Sequence, residues 1–191
     1  MEKKILVVLG HPSNESFNQE IADTYAESAL KSGFEVKKIY LNKIKFDPVL
    51  WGNYSKKMKL EPALVKAQEE IRWADHLVFV YPIWWTSPPA ILKGFIERTF
   101  LPGFAFKYHE GGGHDKLLKG KTAILIMTAG GRKLWYSLFG WIMNKPMSIG
   151  TLGFCGIKVK KQIFFSEIRK ISEEKVDKIL NKVRQLGEKG I

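Results

Sequence analysis

The chain has 191 residues, of which 45% are hydrophobic and 26% charged, a balance that fits one globular domain and excludes a disordered protein. Its net charge of +12 favours anionic ligands. The densest basic groups, Lys56-Lys57-Lys59 and Lys158-Lys160-Lys161, lack the aromatic interleaving of a nucleic-acid platform, and Cys155, the single cysteine, excludes an internal disulfide.

Ile5 to Leu9 is an unbroken apolar run, as a central parallel strand covered on both faces requires. Met1-Glu2-Lys3-Lys4 leads straight into it, leaving no room for a secretion signal, and no apolar run reaches membrane-spanning length. A cytoplasmic protein without membrane insertion is the expectation. Gly10 to Glu15 is turn-rich, and Ser16-Phe17-Asn18-Gln19 reads as a capping box opening a helix to about Lys31, ended by Gly33. Phe34 to Tyr40 alternates as a strand nearer an edge. Leu41 to Leu60 has no sustained period. Pro62 opens an amphipathic helix to about Trp73.

His76 to Tyr81 is a second buried strand. A loop with two tryptophans between prolines follows, Pro82-Ile83-Trp84-Trp85-Thr86-Ser87-Pro88-Pro89, then a helix over Ala90 to Phe100. Leu101 to Lys119 reads as irregular. Thr122 to Met127 is another apolar strand with Thr128-Ala129-Gly130-Gly131 as its terminal loop. Helical segments are expected around Leu134 to Met143 and ending near Gly153, a fifth strand over Ile157 to Phe165, and a last helix capped by Ser172. Five strand–helix alternations without repeats or linkers predict one α/β domain, residues 1–191, with a parallel sheet and helices on both faces. Right-handed crossovers bring the loops at 10–16, 82–89 and 128–135 to one rim.

Those loops carry the chemistry. A helix N-terminus offers free amides, and Ser16, Asn18 and His11 add side-chain donors, a reasonable phosphate cradle, although Ser16 would cap its helix in any case. A stiff proline-bounded loop presenting flat indoles suits a flat, polar-edged ligand, and core capping by Trp84 and Trp85 is the competing reading. Gly130 and Gly131 remove bulk where a backbone can press against a ligand edge, with the Tyr136 hydroxyl nearby. Neither a P-loop nor a GxGxxG fingerprint is present. His109, His114 and Asp115 are the right types for a metal, but isolated loop histidines seldom serve. No triad or paired carboxylate stands out, and Cys155 sits among apolar neighbours as an inert thiol would, so a cofactor is expected to carry the reaction.

Gly10-His11-Pro12 with Ser16-Phe17-Asn18, Pro82-Ile83-Trp84-Trp85 with Pro88 to Gly94, Phe104-Ala105-Phe106, Thr128-Ala129-Gly130-Gly131 with Tyr136, and Gly153-Phe154-Cys155-Gly156 fall in one order. In that order the chain resembles the NAD(P)H:quinone oxidoreductases of flavodoxin-like fold, a group including modulators of drug activity and ancillary proteins of potassium efflux. The resemblance implies a flavodoxin-like three-layer sandwich with a five-stranded parallel sheet in order 2-1-3-4-5, non-covalent FAD or FMN, NAD(P)H as electron donor, a quinone-like acceptor, and a homodimer.

It further implies that His11, Ser16, Phe17 and Asn18 contact the flavin phosphate and ribityl chain. Pro82, Ile83, Trp84 and Trp85 lie under the ring, and Thr128, Ala129, Gly130, Gly131 and Tyr136 at its polar edge. Gly130, Gly131 and Tyr136 then stabilise charge formed on reduction. Animal members carry a histidine six residues after that tyrosine, where this chain has Ile142. The competing functional readings are a regulatory flavoprotein docking on a membrane transport system, which the basic surface mildly favours, and a one-electron carrier of the flavodoxin kind, which this chain's charge and its first loop argue against.

Overall fold

The computed structural model describes residues 2–52, 58–131, 143 and 145–191. Five parallel strands form the sheet: β1 (Lys4–Leu9), β2 (Glu35–Tyr40), β3 (His76–Pro82), β6 (Thr122–Thr128) and β7 (Lys158–Phe165). A separate antiparallel hairpin joins β4 (Phe106–Tyr108) to β5 (His114–Lys116). The sheet order is β2-β1-β3-β6-β7, which is 2-1-3-4-5 in sheet-strand numbering, as expected. Order reverses between β1 and β3, and this switch point opens a crevice at the carboxyl ends of the strands.

Strand periodicity explains the layers. Along β1, Leu6 and Val8 face one core while Ile5, Val7 and Leu9 face the other, and all five are fully buried. The second core packs α1 (Phe17–Lys31) and the last helix, α4 (Glu173–Glu188), on one face of the sheet. On the other face, α2 (Pro62–Trp73) and α3 (Ala90–Thr99) cover Leu77, Phe79 and Tyr81 of β3. The outer strands β2 and β7 carry exposed charges. The basic group Lys158, Lys160 and Lys161 lies on β7, where lysine discourages edge-to-edge pairing.

Both predicted serine caps form: Ser16 Oγ accepts from Gln19 N–H at 3.2 Å and Ser172 Oγ from Lys175 N–H at 3.4 Å. The reciprocal half of the capping box does not, since Gln19 Oε1 is buried without a partner. The 41–60 region opens with a 3₁₀ turn, Leu41–Lys43, and its remaining described residues are irregular but firmly held. Arg98, 1% exposed, donates to Glu61 Oε2 at 2.8 Å and to Asp47 O at 2.6 Å. Pro48 lies so close over Gly94 that a Cβ there would meet Pro48 O at 2.4 Å.

One expectation needs correction and another is met in an unusual form. Leu101 to Lys119 is not wholly irregular: it holds the β4–β5 hairpin, turning through Gly111 to Gly113, all at positive φ. The segment ending near Gly153 is a π-helix, Pro146–Gly153. Of the helix expected at 134–143, only Met143 is described, and it is buried.

Candidate functional site

Loops leave the carboxyl ends of β1, β3 and β6, and backbone hydrogen bonds bind these ends together. Gly10 N–H donates to Val80 O at 2.8 Å, Ile83 N–H to Thr128 O at 2.8 Å, and Ala129 N–H to Phe165 O at 2.9 Å. The described parts of the three predicted loops therefore share one rim.

In the first loop, His11 Nδ1 accepts from Ser13 N–H at 3.0 Å. A protonated Nδ1 cannot accept, so this contact holds the imidazole neutral with its proton on Nε2. Burial also holds the His11 pKa below the ordinary imidazole range. The ring meets Trp84 edge-on, with centroids 5.4 Å apart and planes at 73°. Ser16 spends one lone pair on its cap and keeps its hydrogen for another acceptor. Phe17 packs against the core under α1. Asn18 is buried, and its Oδ1 accepts from the Thr128 hydroxyl at 3.1 Å. Two residues expected to face a ligand thus bridge the first and third loops, across 110 positions of sequence.

The second loop is shaped by a tight turn. Trp84 and Ser87 exchange two backbone hydrogen bonds of 2.9 and 3.0 Å around Trp85 and Thr86, at φ 49° and 61°. Two consecutive left-handed residues make this a type I′ turn, which normally carries Asn-Gly. A non-glycine residue there costs about 1–2 kcal/mol. Pro82 and Ile83 are buried at its base, while Trp84 is 45% and Trp85 97% exposed. Core capping is therefore not what these indoles do. The turn holds a large apolar surface out toward solvent.

The third loop begins with fully buried Thr128 and nearly buried Ala129. Gly130 and Gly131 then line a cavity of about 610 Å³, together with Ile83, Trp84, Trp85, Ile168 and Arg169. A Cβ on Gly130 would lie 2.8 Å from Arg169 Cγ, so the side chain that occupies the space beside this glycine is an arginine. Ile168 and Arg169 were not anticipated from sequence. Tyr136 and Ile142 lie outside the described residues.

Other groups do not join this site. A larger hollow of about 840 Å³ beside Phe154 and Lys145 is lined by none of the rim-loop residues, so size does not identify the site. His109 pairs with Asp115 at 3.2 Å, while the His114 ring stacks on Phe154, with centroids 3.8 Å apart. The three do not converge, and among the described residues no group of three His, Cys, Asp or Glu is placed to hold a metal. Cys155 is buried and its thiol is pushed up to about 11 by burial, the inert thiol expected.

The rim can hold a flat molecule between indoles and a glycine backbone, with a neutral imidazole on one flank and a guanidinium on the other. A family model described as "Flavodoxin-like fold" matches residues 3–187. NAD(P)H dehydrogenase (quinone) 1 of Cavia porcellus is 33% identical over 183 residues, covering 82% of this chain and 66% of that protein. Ribosyldihydronicotinamide dehydrogenase (quinone) of Homo sapiens is 31% identical over 203 residues, covering 91% and 86%. The crystal structure of Smu.1420 from Streptococcus mutans UA159 matches with a TM-score of 0.84 and 36% identity, over 97% of this chain and 99% of that one. This chain spans about two thirds of the Cavia enzyme's length.

Proposed function

This chain belongs to the flavodoxin-like family of NAD(P)H:quinone oxidoreductases, and we propose that it binds FAD or FMN non-covalently and uses it to pass two electrons from NAD(P)H to a quinone or similar acceptor. The observation that carries this reading is a cavity of about 610 Å³ lined by Trp84 and Trp85 from the loop after β3 and by Gly130 and Gly131 from the loop after β6, with His11 of the first loop set against Trp84. Its residues fit a flavin by chemistry as well as space. The indoles offer apolar area to a ring system, and the glycine backbone offers amides to a polar edge. The first loop offers His11 Nε2–H, the Ser16 hydroxyl and the free amides at the start of α1 to a phosphate.

Bound there, a flavin would supply the hydride chemistry between a nicotinamide and the acceptor that none of the described side chains can perform. The protein's part is geometric. Trp84 and Trp85 set where a donor and then an acceptor stack, because hydride transfer needs reacting atoms roughly 3–3.5 Å apart. The Asn18–Thr128 bridge fixes the phosphate side against the ring side. Tyr136 completes the polar edge in this reading, and a homodimer is the assembly it expects.

The direct test is purification without added cofactor, followed by visible absorbance and chromatography of the released chromophore. A bound flavin that NADH or NADPH bleaches, and that a soluble quinone re-oxidises, is the expected result. A colourless protein that also takes up no added flavin would end this reading.

A further inference from the structure

Arg169 belongs to no motif, yet the fold brings it to the cavity with care. Ala129 N–H donates to Phe165 O, Ile168 N–H to Ala129 O at 3.2 Å, and Glu167 N–H to Gly131 O at 3.1 Å. The chain leaving β7 is thereby stitched to the third rim loop. Glu167 takes a left-handed φ of 61° in this connection, a conformation uncommon for a non-glycine residue. The next turn, Ile168–Lys170, lays the Arg169 stem across Gly130, where a Cβ would meet Arg169 Cγ and Nε at 2.8 Å each. Glycine at 130 admits this side chain.

The guanidinium has no hydrogen bond or ion pair among the described residues. The nearest carboxylate in sequence, Glu167, is directed to Lys175 at 3.9 Å instead. The other side chains lining the cavity are Ile83, Trp84, Trp85 and Ile168. Arg169 is exposed, so its charge comes to act over a lower dielectric than open water only once a ligand covers it. It also stands apart from the phosphate cradle: His11 lies against Trp84 and does not line the cavity, whereas Arg169 lies against Gly130 and does.

We propose that Arg169 is the cation that balances the negative charge a bound flavin ring gains on reduction. The proposal rests on the flavin reading above. Hydride from NAD(P)H delivers two electrons and one proton, leaving oxidised nicotinamide. The ring, neutral when oxidised, therefore gains one negative charge, which persists until it takes a proton or returns the hydride to the acceptor. A cation already in place favours the reduced form over the oxidised one at no cost of reorganisation.

The test measures the two-electron midpoint potential of flavin in the reconstituted holoprotein, by equilibration with reference dyes, alongside the Kd of oxidised flavin. Arg169→Gln should lower the potential by about 30–60 mV, a ten- to hundredfold loss of preference for the reduced form, because tenfold is about 30 mV for two electrons. The Kd of oxidised flavin should change less than threefold. Arg169→Lys, which keeps the charge, should recover at least half of the potential. Gly130→Ala, which crowds the arginine stem, should shift the potential in the same direction as Arg169→Gln. In Arg169→Gln the pH at which the potential changes slope, from about 59 to about 30 mV per unit, should move upward, since the reduced ring then keeps its second proton to higher pH. A shift under 10 mV, or an equal loss of affinity for both redox forms, would overturn the assignment while leaving the flavin reading intact. A wild-type protein that binds no flavin would overturn both.

Discussion

The two ends of β3 are built to opposite ends. At its amino end, His76 is fully buried with Nδ1 2.7 Å from Thr122 Oγ1. Asp75 accepts from Lys4 N–H at 2.9 Å, and Thr122 N–H donates to Asp75 O at 3.0 Å. Lys121 Nζ donates to Arg72 O and Ala74 O at 2.7 and 2.5 Å, closing the end of α2. Most polar groups there are spent on the protein, although His76 Nε2 is buried without a partner. At the carboxyl end of this seven-residue strand, two indoles stand exposed on a left-handed turn and an arginine without a partner among the described residues lies across a glycine. Exposed apolar and cationic groups stand at the proposed ligand rim, and polar groups at the amino end are mostly engaged within the protein. Mutations at the rim should accordingly change ligand affinity with little effect on stability, and mutations at the other end the reverse.

Trp84→Ala tests the rim most strongly. Losing an indole wall should weaken flavin binding by about 2 kcal/mol, roughly thirtyfold in Kd, with the urea midpoint nearly unchanged because Trp84 is half exposed. Flavin fluorescence quenching and a denaturation curve decide it. A large stability loss with unaltered affinity would make Trp84 a core residue and break the contrast.

His76 tests the other end through pH. Burial first, then the positive charges of Lys3 and Lys160, pushes its pKa down to about 3 from 6.5. The unfolded chain therefore takes up the proton first. Stability from this group is complete above pH 6.5 and is lost as pH falls from there toward 3, at about 1.4 kcal/mol per unit. By pH 5 the loss should reach about 2 kcal/mol, read as a falling urea midpoint, and His76→Asn should flatten that slope. A wild-type midpoint constant from pH 7.5 to 5 would show that His76 titrates normally.

Lys121→Met should follow, removing two hydrogen bonds from the end of α2 at a cost of about 1–2 kcal/mol in stability. Flavin Kd should stay within twofold. A larger change in affinity than in stability would show that the two ends are coupled.

How much of this contrast the residues announce in advance differs between its halves. The central strands β1, β3 and β6 are legible because each is a short apolar run, the outer β2 through its alternation, and Ser16 and Ser172 because capping is a local contact between neighbours. The convergence of residues near 11, 84 and 130 follows from strand order and chain direction. Arg169 is not legible: it sits between Glu167 and Lys170 in a charged stretch, and its meaning arises only where β7 lies beside β6 and sets it against Gly130. The β4–β5 hairpin is hidden because its two strands have three residues each, too few to show alternation. The left-handed turn at Trp85 and Thr86 is hidden for a better reason. Local preference argues against it, and conflict between local preference and observed backbone is what a functional site is expected to display.

That conflict gives the finest test of the comparison. Thr86 is β-branched and sits at φ 61°, so Thr86→Gly should relieve about 1–2 kcal/mol of strain while adding about 0.5–1 kcal/mol of unfolded-chain entropy. The net expectation is a protein stabilised by up to about 1 kcal/mol, visible as a small rise in urea midpoint. If the strain serves to hold the indoles in a fixed pose, the same change should weaken flavin binding about threefold, because a freer turn must be ordered by the ligand. Gains in both stability and affinity would mean that the left-handed turn is only a defect the chain tolerates, and that exposure alone, without a rigid pose, separates the rim from the amino end.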